Sequence, residues 1–360
     1  MAGKNYKAIR SLAILLLLAS CKPDKPVSPN NVPPVDSNAK SVYIVCEGNF
    51  GNGNSALSLY RPETGGVYED VFKTANNQDL GDVFQSMTRI GNRLFLCVNN
   101  SDEIVVVNRD NWQIAGNISV SKPRYIVAVS DTKAYVSSLY TNKITIINPQ
   151  TLEVTGTITM PGNNPEGMLL HKGKVFVALW DTAVSKLYAI NPANDQVLPF
   201  EDLMGSAPKE IVADKDGMLW ILGGNIQKNK SASLTKIDPV NGGMVSGYPF
   251  PADRDPLRLT INFAGDQLYF LLVNYTGGTE DNGVYRMGIN ATNLPTQAFI
   301  PAQNLQYFWA LGIDRYTGNI YVGDPKGFTQ TGTVYIYSVD GQQLKTFNCG
   351  VGPGHFYFNQ

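Results

Sequence analysis

Aromatic, amide and charged side chains recur in small groups along the chain, most of them beside a turn: Phe50 and Asn52, Gln85, Arg124 and Tyr125, Tyr140, Glu166, Trp180 and Asp181, Lys209, Arg258, Tyr275, Phe308 and Trp309, Phe328, and His355. Such a set suits recognition more than bond making. Aromatic rings give broad contact area at small entropic cost, and amides give paired donors and acceptors, which is what a large, mostly uncharged polar ligand needs. The inventory for catalysis is thin. His171 and His355 are the two histidines. The first sits in the hairpin signal Leu170-His171-Lys172-Gly173, and no Ser-His-Asp set assembles around the second. There is no Cys-x-x-Cys pair or His-carboxylate cluster to hold a metal. Asp214-Lys215-Asp216-Gly217 lacks the later ligands of a calcium loop and reads as a turn. The expectation is a binding protein with no catalytic residue, no metal and no cofactor.

What positions these residues is a repeat. β-rich runs open at Val42, Leu94, Ala134, Val175, Leu219, Leu268 and Ile320, 40 to 52 residues apart. Each pairs with a following run, such as Glu103 to Val107 or Lys143 to Ile147. Turns of the Asn148-Pro149, Asn191-Pro192, Asp238-Pro239 or Asp340-Gly341 kind end them. Branched and aromatic residues fill a pleated surface, and Pro or Gly terminates it. A period of about 40 to 50 residues with several strands per unit predicts a β-propeller, here an all-β, seven-bladed ring over 41–360.

Six of the runs follow a segment that reads as an innermost strand, for example Pro123 to Ala128 or Pro208 to Ala213. The first follows only a linker. The unassigned segment Gly352 to Phe358 supplies the missing strand, so the C-terminal strand is expected to join the first blade and close the ring, removing an exposed edge. In that ring, the loops leading into the innermost strands and those between second and third strands share one face. The residues named at the outset, with Glu210, Asn225 and Leu257 beside them, converge there. Trp180 and Trp309 are expected to stand exposed. Two structural uses compete with ligand binding: the aromatics would also serve to pack sheet on sheet, and the charges at a channel mouth would pair with one another.

With 29 basic against 30 acidic residues and 16% charged, the chain carries no electrostatic footprint for nucleic acid or an anionic membrane. Cys46, Cys97 and Cys349 fall in expected strands, where small buried side chains are the expectation. Ahead of the ring, Lys4, Lys7 and Arg10 precede an apolar stretch from Leu12 to Ala19, too short to span a bilayer but suited to a secretory signal over 1–20. The tetrapeptide Leu18-Ala19-Ser20-Cys21 resembles the lipobox of bacterial lipoproteins, which implies lipid attachment at Cys21; an ordinary cleavable signal is the alternative. Residues 21–40, with Pro23, Pro26, Pro29, Pro33 and Pro34, read as an extended tether. Contact with the membrane would be through the anchor alone. The location expected is the outer membrane, facing the cell surface, with a periplasmic orientation left open.

Two stretches go beyond general propeller grammar. Glu47-Gly-Asn-Phe-Gly-Asn-Gly-Asn-Ser-Ala-Leu-Ser-Leu-Tyr60 and Leu80-Gly-Asp-Val-Phe-Gln-Ser-Met87 resemble the opening blade of the YncE-like surface lipoproteins of Bacteroidetes, which include the BtuG-type corrinoid-capturing proteins. The resemblance spans 42–360. It implies capture of corrinoids, vitamin B12 and its analogues, as a transported ligand, and delivery to a TonB-dependent outer-membrane transporter of the BtuB type. The alternative carried by the same fold is a surface-layer or adhesion role with glycans or proteins as partners.

Overall fold

The structure is a computed structural model and describes residues 40–274, 281–303 and 306–359. Among these residues, twenty-eight strands form seven four-stranded antiparallel sheets arranged as the blades of one ring. Blades 2 to 7 each take four consecutive strands, with innermost strands beginning at Phe84, Pro123, Pro165, Pro208, Asp255 and Ala310. Blade 1 is the exception. Its innermost strand is the C-terminal Pro353–Asn359, which pairs with Ser41–Cys46; Ala56–Arg61 and Gly66–Tyr68 complete the sheet. The expected closure is therefore present.

The core lies between the blades. Seven buried apolar clusters occur among the described residues, one at each seam between neighbouring sheets. Strand periodicity explains this: successive side chains point to opposite faces, and both faces of each sheet are covered. Thus Val42, Ile44 and Cys46 face blade 7, whereas Tyr43 and Val45 face blade 2. Because both alternations are buried, the second strand of each blade reads as a continuous apolar run, which is the signal the repeats carried.

Two local features follow from particular residues. The Asp214–Gly217 segment is a turn, as expected. Asp214 Oδ1 accepts from the Asp216 and Met218 amides, and Oδ2 accepts from the buried Trp220 indole at 2.9 Å. The long first repeat also holds something its sequence did not announce, a helix over Val71–Asn76. Asp70 caps it by accepting from the Lys73 amide, and Val71 and Phe72 bury in the seam between blades 1 and 2. Six residues are too few to display a helical period, so tertiary packing holds this turn.

Candidate functional site

Each innermost strand except that of blade 7 slips register near its upper end. The slips fall between Phe84 and Ser86, Pro123 and Ile126, Pro165 and Met168, Pro208 and Glu210, Leu257 and Thr260, and in blade 1 between Pro353 and His355. A bulge leaves one or two residues outside the ladder and re-aims their side chains. Those residues are Gln85, Arg124 with Tyr125, Glu166 with Gly167, Lys209, Arg258 with Leu259, and Gly354. In blade 7 the matching place is Trp309, directly ahead of its strand. One residue per blade therefore rings the upper mouth of the channel.

The glycine place is filled from elsewhere. A Cβ on Gly354 would stand 2.2 Å from Glu47 Oε1, so the missing side chain makes room for a carboxylate arriving from the loop after Ser41–Cys46. Glu47 Oε1 accepts from Trp309 Nε1 at 2.9 Å and from Arg258 Nη2 at 3.3 Å. It thereby ties together blades 1, 6 and 7.

The mouth is a cup of about 270 Å³ lined by Gln85, Arg124, Tyr125, Glu166, Trp180, Lys209, Arg258 and Trp309, joined by Glu47, Val83, Glu210, Gly224, Asn225, Gln227, Asp255 and Leu257. Its cations are already paired. Arg124 Nε donates to both Glu166 oxygens at 3.2 and 3.0 Å, and Arg124 Nη1 donates to Gln85 Oε1. Lys209 Nζ donates to Asp255 Oδ1 at 3.2 Å, and Glu210 accepts from the backbone amides of Arg258 and Leu259. Burial disfavours the Arg124 charge, but Glu166 beside it more than offsets this and holds the guanidinium above its ordinary pKa. Burial, then the Glu166 charge, pushes the Tyr125 phenol up to about 12, so it stays a neutral donor.

Three side chains form the floor. His355 Nε2 accepts from Arg258 Nη1 at 2.7 Å and lies 3.4 Å from the Tyr125 hydroxyl, which in turn accepts from Gln85 Nε2 at 3.3 Å. With Nε2 accepting from a guanidinium, the imidazole proton belongs on Nδ1. Arg258 has φ +61°, a strained conformation for a residue with a side chain, and Glu210 holds it there through the backbone. Below this septum lies a second chamber of about 400 Å³, lined in its apolar part by Ile126, Met168, Ile211, Leu311, Phe356 and Phe358.

Burial and the adjacent Arg258 and Arg124 charges hold His355 well below the usual imidazole pKa. The folded protein keeps it neutral, while the unfolded chain takes up a proton near pH 6.5. Stability from this group is thus present above pH 6.5 and is lost as pH falls below it, at up to about 1.4 kcal/mol per pH unit. Urea midpoints at pH 7.5 and pH 5 should show the loss in the wild type and a smaller one in His355→Gln. An equal loss in both would assign it elsewhere.

The expected site residues divide accordingly. Gln85, Arg124, Tyr125, Glu166, Trp180, Lys209, Arg258 and Trp309 converge on the cup, and His355 lies in its floor. Trp180 and Trp309 are only partly exposed, contrary to expectation. Trp180 Nε1 donates to the Gly224 carbonyl at 3.1 Å, and Trp309 is packed by Tyr307 and Phe328. Phe328 supports the cup from behind in this way and does not line it. Phe308 is not a ligand residue: it is 1% exposed in the core between blades 6 and 7, pointing away from Trp309 as alternation requires. Asp181 is a turn acceptor, its carboxylate taking the Asn163 and Ala183 amides. Phe50, Asn52 and Tyr140 stand outside the cup on the same face, Phe50 and Tyr140 being 76% and 81% exposed. Tyr275 lies outside the described residues, as do Cys21 and the expected signal and tether up to 39. Glu47, Asp255 and Gln227 were not anticipated; for Glu47 the available signal was a ring place occupied by glycine.

A model of the family described as a domain of unknown function (DUF5074) matches residues 40–359. No curated protein matches the sequence. Among solved structures, a quinonprotein alcohol dehydrogenase-like protein from Bacteroides thetaiotaomicron is similar at 16% identity and TM-score 0.67, over 89% of this chain and 79% of that one. The periplasmic gluconolactonase of Pseudomonas aeruginosa is similar at 11% identity and TM-score 0.62, over 88% and 99%. At such identity the likeness carries the fold alone.

Proposed function

This chain belongs to the DUF5074 family, and from its propeller and the chemistry of its mouth we infer that it is a ligand-capture protein held outside the cytoplasm, whose ligand is a large, neutral, amide-rich disc of the corrinoid class. The carrying observation is that the cup offers polarity without a free cation, and that its remaining carboxylate, Glu210, is held by two backbone amides. Arg124, Lys209 and Arg258 are each matched by a carboxylate within 3.3 Å. An ionic ligand would have to displace these pairs, and breaking a partly buried pair costs several kcal/mol. What remains on offer is the amide groups of Asn225 and Gln227, and the aromatic surface of Trp180, Trp309, Phe50 and Tyr140.

The cup is smaller than a macrocycle, so the disc lies across the mouth with an amide arm in the cup. The exposed rings of Phe50 and Tyr140 are placed on the same face to meet it. The proposed receiver is a TonB-dependent outer-membrane transporter of the BtuB type. Ser41 pairs with Asn359 at the end of blade 1 opposite the mouth. The first strand of the ring therefore begins on the face away from the cup.

Gel filtration of the purified protein mixed with cyanocobalamin tests the reading. Co-elution of the pink chromophore with the protein is expected. Chromophore eluting wholly in the small-molecule volume, with retention of glycans instead, would replace this function by the adhesion role.

A further inference from the structure

The ring closes at the seam between blades 7 and 1, and two cysteines sit in it. Cys46 ends the second strand of blade 1, and Cys349 lies in Gln343–Val351, the outermost strand of blade 7. Both are fully buried in the same cluster, with Val42, Ile44, Tyr321, Val334 and Ile336. Gln343–Val351 slips register between the partners of Thr331 and Thr333, which brings the peptide after Cys349 against Cys46. A Cβ on Gly350 would stand 3.0 Å from Cys46 Cβ and 3.1 Å from its Sγ. One hydroxyl serves both sides: Ser58 Oγ lies 3.5 Å from Cys46 Sγ and accepts from the Gly350 amide at 3.0 Å. The neighbouring Cys46 thiol, together with burial, pushes the Cys349 thiol well above its ordinary value. Cys97, by contrast, is buried in the seam between blades 2 and 3.

We propose that Cys46 and Cys349 are a redox pair that forms a disulfide across the closing seam, a covalent lock on the ring. The step balances with a low-molecular-weight disulfide as oxidant. The thiolate of one cysteine attacks it and releases one thiol; the second cysteine then attacks the mixed disulfide and releases another. Two protein thiols are oxidised as one external disulfide is reduced to two thiols, and the two protein protons end on them. Since both sulfurs are buried in the closed ring, exchange takes place while the C-terminal strand is still unseated, that is, during folding. The bond joins residues near opposite ends of the propeller, so the loop it closes is nearly the whole ring, where constraint of the unfolded chain is greatest.

The chain from Lys22 onward, unfolded and refolded in oxidised glutathione or in dithiothreitol, tests this. Under denaturing conditions the oxidised sample should show one titratable thiol, that of Cys97, and the reduced sample three; peptide mapping should recover a 46–349 cross-link. The oxidised protein should melt several degrees higher. That difference should persist in Cys97→Ser and vanish in Cys46→Ser and in Cys349→Ser. Three titratable thiols after oxidative refolding, or a cross-link that includes Cys97, would overturn the pairing.

Discussion

A chain ending at Val351 should not fold to a cooperative ring. Without Pro353–Asn359, blade 1 loses its innermost strand, and Ser41–Cys46 loses six paired positions and presents a bare edge to the channel. Tyr321 of blade 7 loses Phe356 and Phe358, whose rings lie 5.8 and 5.2 Å from it. Burying each large aromatic contributes roughly 2–3 kcal/mol, and the lost ladder adds to that. The total is a large part of the 5–15 kcal/mol that typically separates folded from unfolded states. Calorimetry should show no sharp transition for the truncated chain. A second variant separates a lost strand from a merely shortened tail. Because Asn359 pairs with Ser41, moving residues 352–359 ahead of Lys40 with a short turn gives blade 1 the same strand order in sequence as the other six. That rearranged chain should melt within a few degrees of the wild type. Full-strength melting of the truncated chain would mean that the seam does not depend on the C-terminal strand.

Gly354→Ala should damage the cup as much as loss of the Glu47 carboxylate itself. A methyl group 2.2 Å from Glu47 Oε1 cannot be accommodated unless the carboxylate moves. When it moves, the Trp309 indole and the Arg258 guanidinium lose a common acceptor. The ion pair is largely enclosed, with side-chain exposures of 9% and 12%, so leaving the arginine unmatched costs on the order of 3 kcal/mol. Corrinoid affinity should fall about tenfold or more as Trp309 is released. Glu47→Ala should show similar losses, and adding Gly354→Ala to it should change little further, because both act through one carboxylate. Additive losses, measured by denaturant unfolding of the two single variants and the double, would show that Gly354 acts independently of Glu47.

The blades were readable because both faces of each middle strand are buried, so Leu94 to Val98 or Val175 to Leu179 appear as unbroken apolar runs between turns. The missing inner strand of blade 1 was readable from an orphan segment at the far end. Within the site, the ring residues Gln85, Arg124, Glu166, Lys209 and Arg258 lie near strand starts that the sequence marks. Their aim into the cup depends on bulges that no local signal announces. Phe308 and Trp309 differ by one position along an extended chain, and one enters the core while the other enters the cup; only the register decides which. Asp181 is indistinguishable by type from a ligand acceptor, and its carboxylate is spent on neighbouring amides. Glu47 carried no local signal as a site residue, because its role is fixed by a side chain absent 307 positions away, at Gly354.

Calorimetric titration of the wild type and of Trp309→Ala with cyanocobalamin goes to the centre of the account. Saturable binding at one ligand per ring, weakened about tenfold or more by the substitution, is the predicted result. No heat with the wild type, or an affinity unchanged by Trp309→Ala and by Trp180→Ala alike, would contradict a corrinoid site at the upper mouth.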